Sequence, residues 1–439
     1  MLYGYAISSE PVNRPPRSGQ DAATRGFGGL LREHDFRLLW VGETTSNIGT
    51  AVTTVALPLV AISVLHASTF AVAALSAAVW LPWLIVALPA GAWVDRMRHR
   101  PVLLICDAVS MALFVSVPIA AWAGVLSLWQ LFVVATGAGI SSVFFRTAYN
   151  AYLPNVIAPA DRSEGNGKIA ASQSAAQLIG PGIAGLIARA FGAATALLAD
   201  AISFLVSAVC LLRIRVVEPK AAISERRRLR DDVSDGVRYI AKDPYLRVLT
   251  VWGGLVNFAY SAREALLVLF LVRTIGVDSR TVGWVLTAAG LGGIAGAALG
   301  TTIARRFGTA HGLLLCELAA APFGLLVPLT RGGAGLALIY AGLFITDAGI
   351  TAGNVIQRTF AQNYVPRNML GRISATQSSF NYGTMPIGAV VAGAVATTIG
   401  VRSTLWIATA VLAVVGSALY YSPVRRNRDL PSAPEPANS

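Results

Sequence analysis

Long apolar segments recur along this chain and limit the folds open to it. Twelve stretches are about 20 residues each and nearly free of charge, which is the length that a helix needs to cross a bilayer. We place them at 38–65, 68–90, 102–123, 126–148, 169–188, 195–212, 246–271, 281–303, 313–330, 335–355, 373–399 and 403–421. With 55% hydrophobic and 13% charged residues, the chain departs from the composition of soluble proteins. The sequence predicts an all-α membrane protein with twelve transmembrane helices.

One unit occurs twice in the chain. GAWVDR at 91–96 corresponds to GTTIAR at 300–305, and further matches keep an offset of about 209 to 212 residues, as expected of a duplicated unit whose loops have changed length. The other matching pairs are Cys106-Asp107 with Cys316-Glu317, Val117-Pro118 with Val327-Pro328, and Arg146-Thr147 with Arg358-Thr359. Both halves are therefore expected to fold alike.

Each copy holds six predicted spans, an even number, so both copies enter the membrane from the same side. The sequence thus predicts two pseudo-symmetric six-helix bundles with a central cavity where they meet. The expected parts are a tail at 1–35, a bundle at 36–214, a linker at 215–245, a bundle at 246–421 and a tail at 422–439.

The linker interrupts the apolar pattern with a charged run. Within it, Leu229, Val233, Val237 and Ile240 recur at helical spacing, and Pro244 follows them. This spacing predicts an amphipathic surface helix that stops before the proline.

The distribution of positive charge orients the chain. The formal net charge is +13, but about 29 of the 35 lysines and arginines fall in the tails and the even-numbered loops. About five fall in the odd-numbered loops, and Arg263 lies within a span. Because basic loops stay in the cytoplasm, we expect both termini to be cytoplasmic in a multi-pass protein of the cytoplasmic membrane. We therefore expect the lipid bilayer to be the partner of these basic residues, and we expect no nucleic acid partner.

The loop between spans two and three, GAWVDRMRHRP, carries a recognisable motif. Together with twelve spans in two halves and a basic central linker, it resembles the major facilitator superfamily of transporters. Gly91, Asp95, Arg96 and Arg100 match the superfamily's loop motif, whereas Arg98 replaces its second glycine. The resemblance implies that this loop latches one conformation of a transporter, and we expect Gly91 to let two backbones approach closely.

The second copy of this loop is degenerate. It keeps Gly300 and Arg305, but Ala304 stands in the acidic position, so we expect an asymmetric latch. Asp107 and Glu317 occupy equivalent places near the two loops. We assign both to the latch rather than to substrate contact.

Further segments narrow the resemblance. FRLLWVGETTSNIGT, DAISFLVSA and NAYLPN are similar to segments of the branch that contains macrolide-efflux and siderophore-export proteins. Gly180, Pro181 and Gly185 in span five resemble the antiporter motif of drug exporters, in which they would bend and tightly pack the helix; ordinary small-residue packing is an equal alternative. Span four has Val133 and Val134 in the region where proton-coupled drug antiporters carry a membrane-embedded arginine.

Polar side chains follow one face of three predicted spans. A charge in mid-bilayer costs roughly 2.5 to 3.5 kcal/mol, so these side chains are expected to avoid lipid. The stripes are Glu43, Asn47, Thr50 and Thr54 in span one, Asn257, Tyr260, Ser261 and Glu264 in span seven, and Asp347, Thr351, Asn354 and Arg358 in span ten. In the superfamily that the chain resembles, spans one, four, seven and ten line the cavity. The resemblance therefore implies that these stripes form a substrate and proton site.

Three carboxyl groups are the leading candidates for that site. Asp347, near the middle of span ten, ranks first as the proton carrier, Glu264 second and Glu43 third. The alternative for each is a buried carboxylate that pairs with a neighbouring helix for packing. Arg263 is a candidate partner, but successive residues of a helix point about 100° apart. We therefore expect Arg263 to meet an acid from another span and not Glu264.

Enzymatic and metal chemistry find little support in the sequence. HExxH, CxxC and GxSxG do not occur, the three cysteines lie in predicted spans, and the four histidines are scattered. We expect no enzymatic activity, no cofactor and no metal. An ion gradient, of protons, is the expected energy source.

These features favour a secondary transporter that exports a hydrophobic or amphipathic small molecule, such as a drug, antibiotic or siderophore, by alternating access as a monomer. An importer or lipid-moving transporter of the same fold is an alternative, and a non-transporting membrane sensor or scaffold is another. The substrate stays open, because such cavities bind through apolar surfaces with few polar anchors.

Overall fold

The computed structural model describes residues 29–94, 96–216, 218, 229–366 and 369–431. Over these ranges the chain is helical and contains no β-strand, which confirms the predicted all-α class. The first half consists of α1 (His34–Ser63), α2 (Thr69–Ile85), α3 (Ala87–Val94), α4 (His99–Trp122), α5 (Leu128–Val156), α6 (Arg162–Phe191) and α7 (Ala193–Arg213). The linker contains α8 (Leu229–Lys242). The second half consists of α9 (Pro244–Leu269), α10 (Ser279–Phe307), α11 (Thr309–Ala320), α12 (Leu326–Leu329), α13 (Leu336–Tyr364), α14 (Leu370–Ile399) and α15 (Val401–Ala418).

Ten helical segments of the described chain are long and apolar enough to cross a bilayer. They coincide with ten of the twelve predicted spans. The second predicted span divides into α2, which has 17 residues, and α3, because Pro89 has no N–H to donate to Ile85 one turn earlier. The fifth, α6, is 30 residues long, but its first half is polar. The count of twelve spans therefore stays a prediction.

Two helix pairs join the halves. α2 packs along α14, and α6 packs along α10. Small residues make room for both contacts: a Cβ added at Gly283 of α10 would lie 3.1 Å from the Cα of Gly185, and one added at Gly393 of α14 would lie 2.5 Å from the Cβ of Ala73. Since both distances are shorter than ordinary van der Waals contact, these backbones approach one another as closely as glycine allows.

The hydrophobic cores show where the halves meet and where they part. We call the end at which α1 and α9 begin the basic end. At the end away from it, one continuous core contains side chains of both halves, among them Val60 and Leu197 with Leu266 and Leu405. At the basic end each half has a core of its own. The space between the halves therefore opens toward the basic end and is closed at the opposite end.

The linker helix α8 packs against the second half. Asp235 pairs with Arg372 of α14 at 3.4 Å, and Ile240 is buried, whereas Val237 is 51% exposed. The helix predicted from the linker spacing is thus present and ends before Pro244, although the side chains of 229–233 lie outside the described residues.

Candidate functional site

Arg263 of α9 is the centre of a buried charge cluster. Its guanidinium donates to Glu264 Oε1 from Nε at 3.2 Å and from Nη2 at 2.9 Å. Nη2 also donates to Asp347 of α13, with 3.1 Å to Oδ1 and 3.3 Å to Oδ2. The Tyr260 ring centre lies 4.7 Å from the guanidinium carbon, a distance at which an aromatic face attracts a cation. Four residues singled out from the sequence thus form one group, which we call the Arg263 cluster.

The pairing partners of Arg263 correct one expectation and confirm another. The prediction that Arg263 meets an acid from another span is confirmed by Asp347. The prediction that it does not face Glu264 is wrong. Although the two Cβ atoms point about 100° apart, the long arginine side chain folds back, so that its guanidinium reaches the carboxylate of the next residue.

Contacts on the opposite face of α9 aim Arg263 at α13. The Ser261 hydroxyl donates to Met385 O of α14 at 2.8 Å, and Thr384 of α14 donates to Gly254 O at 2.9 Å. Because Ser261 faces α14, a residue two positions later lies about 200° around the helix and points away from it. The α9 and α13 backbones are not packed closely, so the Arg263 side chain itself spans the distance between these two helices.

Exposure differs sharply within the cluster. The Arg263 side chain is 0% exposed, Asp347 is 10% exposed and Glu264 is 36% exposed. One guanidinium cannot neutralise two carboxylates, so the cluster carries one net negative charge when both are ionised. Arg263 Nη1 is buried and has no hydrogen-bond partner among the described residues. Glu264 is therefore the most exposed charged member of the cluster.

The polar stripe of α13 leads from this cluster toward the basic end. Asp347 is buried, Thr351 is half-buried and Asn354 is exposed. On α9, the half-buried Asn257 donates its amide to Gly253 O at 2.8 Å. Exposure along the stripe predicted on span ten therefore increases from the buried acid toward the basic end.

Glu43 lies apart from the Arg263 cluster. It is half-buried on α1, and the Asn47 amide donates to its carboxylate at 3.2 Å. Its remaining charge interactions, with Asp107, Arg146 and Tyr149, all lie within the first half. The sequence grouped Glu43 with Asp347 and Glu264, but the structure places it in a separate group.

The sequence did not predict an aromatic contact that joins the two halves. Tyr382 of α14 stacks on Trp80 of α2 with ring centres 5.8 Å apart, and it meets Trp83 at 5.2 Å. All three side chains are half-buried. The spacing of the two tryptophans, three residues apart, was the available signal, because it places both on one face of a helix.

The loop after span two departs from its expected packing. A Cβ added at Gly91 would meet no atom within 4 Å. The expectation that Gly91 lets two backbones approach closely is therefore wrong in this structure, because α3 ends where the two halves are apart. Asp95 lies outside the described residues. The Arg96 side chain is exposed, and Arg100 donates to Leu212 O of α7 at 2.8 Å. A latch formed by this loop stays a prediction.

In the second copy, Gly300 does pack closely, because its Cβ would lie 3.1 Å from Ala352 O of α13, while Arg305 is exposed. Asp107 and Glu317 are 1% and 3% exposed. They lie between helices, and among the described residues no salt bridge joins either to a loop arginine. Their assignment to a latch also stays a prediction.

The antiporter-like segment of α6 lies at two helix contacts. A Cβ at Gly180 would collide with Ala51 of α1, and a Cβ at Gly185 would lie 3.0 Å from the Cα of Gly283 of α10. A Cβ at Gly283 would in turn lie 2.5 Å from Pro181 O. Gly180, Pro181 and Gly185 therefore lie where α6 packs closely against α1 of its own half and against α10 of the other half. Both contacts are at the end where the halves share a core.

An ion pair crosses between the halves at the same end. Arg189 of α6 pairs with Asp278, which precedes α10. Asp278 also caps α10 by accepting the Thr281 N–H at 3.1 Å and the Thr281 hydroxyl at 2.5 Å. These hydrogen bonds, with the charge of Arg189, hold the pKa of the Asp278 carboxyl below its usual value. Nearby, Arg273 of the second half donates to Ala67 O of the first.

Comparison with known proteins places this arrangement among transporters. The family model described as "transmembrane secretion effector", one of the major facilitator models, matches residues 27–437. The multidrug efflux pump Tap of Mycolicibacterium fortuitum is 26% identical over 415 residues, which covers 90% of this chain and 98% of that protein.

Solved structures agree on the fold. A variant of the nucleoside transporter NupG matches with a TM-score of 0.73 at 11% identity, over 88% of this chain and 99% of that one. A bacterial homologue of the iron transporter ferroportin, in an inward-facing state, matches with a TM-score of 0.72 at 13% identity, over 89% and 98% of the two chains. At such low identity these two structures bear on the fold alone.

Proposed function

The chain belongs to the transmembrane secretion effector family of the major facilitator superfamily and is a membrane transporter; from that premise we propose that it exports hydrophobic or amphipathic small molecules across the cytoplasmic membrane by alternating access. The name of its relative in M. fortuitum, a multidrug efflux pump, supports the outward direction. Drugs, antibiotics or siderophores are the proposed substrate class, and a single chain is the proposed functional unit.

The Arg263 cluster is the observation that carries this proposal. Three ionisable side chains from two helices meet inside a bundle whose other interior residues are mostly apolar. Ionisable groups in spans are expensive and mark ion and substrate pathways. The partly exposed Glu264 and the apolar walls around it suit an amphipathic molecule with one polar or cationic group.

Alternating access needs a seal at one end and an opening at the other. The shared core, the Gly185 contact with Gly283, and the ion pair of Arg189 with Asp278 supply the seal at the end away from the basic loops. Separate cores at the basic end supply the opening. If the basic end is cytoplasmic, as the positive charge implies, this arrangement admits substrate from the cytoplasm.

Proton coupling follows from the charge of the cluster. Arg263 balances one carboxylate, and the second negative charge is left for a proton or a cationic substrate. When a proton and a cationic substrate compete for the one negative charge of the cluster that Arg263 does not balance, the binding of each promotes release of the other. Asp347 is the proposed proton carrier and Glu264 the proposed contact with substrate.

A panel of antibiotics, dyes and metal chelators tests export in cells that express or lack the protein, with and without a protonophore. We expect expression to raise resistance to at least one amphipathic compound and the protonophore to remove the protection. Sensitisation by expression would indicate import instead. An unchanged panel, together with no transport in vesicles, would contradict a transport role.

Proteoliposomes test the cluster directly, with ethidium as the transported dye. Asp347→Asn is expected to abolish dye movement driven by a pH gradient. Glu317→Gln, a buried acid of the same half outside the cluster, is the matched control: a role in the latch would change the rate of transport but not its response to the pH gradient. Unchanged pH-driven transport by Asp347→Asn would remove Asp347 from the mechanism.

A further inference from the structure

Asp107 is a buried carboxylate without a bonded partner. It lies on α4, is 1% exposed, and neither of its oxygens has a hydrogen-bond partner among the described residues. The Ser207 hydroxyl of α7 lies close to it, but no hydrogen bond of acceptable geometry joins the two. Burying an ionised carboxylate without a partner costs so much free energy that such a group takes up a proton instead.

A second acid lies near Asp107, and a small cavity adjoins this second acid. Glu43 of α1 is close enough to interact electrostatically with Asp107 and with Tyr149 of α5. Glu43, Tyr149 and Ser207 line one cavity between α1, α5 and α7, of about 10 Å³, a volume that suits one water molecule. The Tyr149 hydroxyl is buried there and also has no hydrogen-bond partner among the described residues. The cavity walls are mostly apolar, but Glu43, Tyr149 and Ser207 supply polar groups to which a water molecule could bond; Asp107 does not line the cavity.

The other titratable groups do not neutralise this pair of acids. Arg146 of α5 interacts with Glu43 but forms no salt bridge with it in the described structure, and its side chain is exposed. Cys106 and Cys210, from α4 and α7, are neutral thiols at the edge of the group. Two carboxylates therefore share a site with no bonded cation.

The internal repeat provides a comparison. Glu317 of α11 is the counterpart of Asp107 and is equally buried, at 3% exposed. Its surroundings are Gly353 and Gly416, and the residue equivalent to Glu43 is Gly253, which has no charge. A buried acid at this repeat position is thus common to both halves, and in the first half Glu43 adds a second carboxylate next to a small cavity.

We propose that Glu43 and Asp107 form a second proton-binding site, which holds one proton between two carboxylates. The proton enters from water at the basic end onto Glu43, and the pair then holds it on Asp107, the more deeply buried of the two acids. A water molecule in the cavity accepts the proton from Glu43 and gives one of its own to the Ser207 hydroxyl oxygen, and the Ser207 hydroxyl gives its original proton to Asp107. The pair keeps one negative charge throughout, and its titration belongs to both groups together.

This site rests on the proposed transport function, because it gives the cycle a proton that the Arg263 cluster does not supply. Glu43 lies on α1, a helix that also contributes to the core shared by the halves. It is half-exposed in the arrangement that is open at the basic end. Closure of that end would separate the pair from water and carry its proton through the cycle.

Infrared difference spectroscopy of the full chain in lipid vesicles tests the pair without any substrate. Between mildly acidic and mildly alkaline buffer, we expect carbonyl bands of protonated carboxyl groups to change. One of these bands, distinct from the band that is lost in Asp347→Asn, should be absent in Asp107→Asn. Glu43→Gln should shift the pH at which the band changes, because the two groups titrate together. In the control Glu317→Gln, the titrating band should persist. If neither Asp107→Asn nor Glu43→Gln changes any titrating band, the proposal is overturned.

Proton counting separates this proposal from the proposed function. In proteoliposomes with ethidium, the protons moved per dye should fall by one in Asp107→Asn or Glu43→Gln and stay unchanged in Glu317→Gln, whatever the effect on rate. If both first-half variants keep the full proton count while Asp347→Asn abolishes pH-driven transport, the second site is refuted and the transport function stands. Dependence of the infrared band on sodium instead of pH would identify a metal-cation site and would also refute the proton site.

Discussion

Gly283→Ala should open the end of the molecule that is sealed in this structure. The added Cβ would lie 2.5 Å from Pro181 O and 3.1 Å from the Cα of Gly185, both across the boundary between the halves. Ordinary van der Waals contact begins near 3.4 Å, so α6 and α10 must separate by several tenths of an ångström. Both obstacles are backbone atoms and cannot turn aside as a flexible side chain would.

The free-energy cost of this substitution follows from overpacking. An extra methyl group in a tight contact costs about 1–3 kcal/mol. The gain in helix propensity on replacing glycine with alanine, roughly 1 kcal/mol, applies to α10 in both conformations and cancels in their ratio. The ratio of sealed to unsealed molecules should therefore fall by about 5-fold to 150-fold.

Distances between spin labels measure that ratio. Val125→Cys and Arg331→Cys place labels on exposed loops of the two halves at the sealed end, and the three native cysteines Cys106, Cys210 and Cys316 are buried. Double electron–electron resonance in lipid should show a short distance in the parent protein. In Gly283→Ala a longer distance should dominate or become clearly populated.

Gly293→Ala, on the same helix, is the matched control. Its added Cβ would lie 3.5 Å from the Thr351 hydroxyl oxygen, which is ordinary contact. The control should keep the parent distance. If Gly283→Ala also keeps it, or if both variants lengthen it equally, then the close contact of α6 with α10 does not seal this end and the reasoning is refuted.

Two further predictions concern charge. Arg263→Gln should destabilise the protein by about 3–5 kcal/mol, because it leaves two acids without their cation. Thermal unfolding in detergent should show this loss of stability, and adding Asp347→Asn should recover much of it. An unchanged unfolding temperature in Arg263→Gln would contradict the stabilising role of the Arg263 cluster. Because hydrogen bonds at the start of α10 and the charge of Arg189 lower the pKa of Asp278, the stabilisation from this carboxylate is present above the ordinary aspartate pKa and is lost as pH falls through the lowered value. Acidification should therefore lengthen the distance between the spin labels. Asp278→Asn should lengthen this distance at neutral pH and remove the dependence of the distance on pH. If the distance stays short both on acidification and in Asp278→Asn, the ion pair of Arg189 with Asp278 does not hold this end closed.

The sequence predicted what depends on periodicity along one helix. Apolar runs predicted ten spans that the described chain contains, and the i, i+4, i+7 spacing of Asp347, Thr351 and Asn354 predicted a stripe along which the side chains change from buried to exposed. The same reasoning placed Glu264 and Arg263 on the helix that meets Asp347. These inferences held because spacing on a helix fixes which side chains share a face.

Features that depend on side-chain reach or on pairing of distant helices could not be predicted in the same way. The contact of Arg263 with Glu264 depends on how a long side chain folds back, which the angle between Cβ atoms does not determine. The stacking of Trp80 on Tyr382 joins residues about 300 positions apart and follows only from the pairing of α2 with α14. The open surroundings of Gly91 reflect a conformation in which the basic end is parted.

Proton release on substrate binding tests the competition at the Arg263 cluster most directly. In weakly buffered detergent solution, adding ethidium to the purified full chain should release protons, and a pH indicator should record them. Asp347→Asn should bind the dye and release fewer protons than the parent protein. Dye binding by the parent protein with no proton release, or the same release from Asp347→Asn, would contradict a carboxyl group that exchanges its proton for substrate.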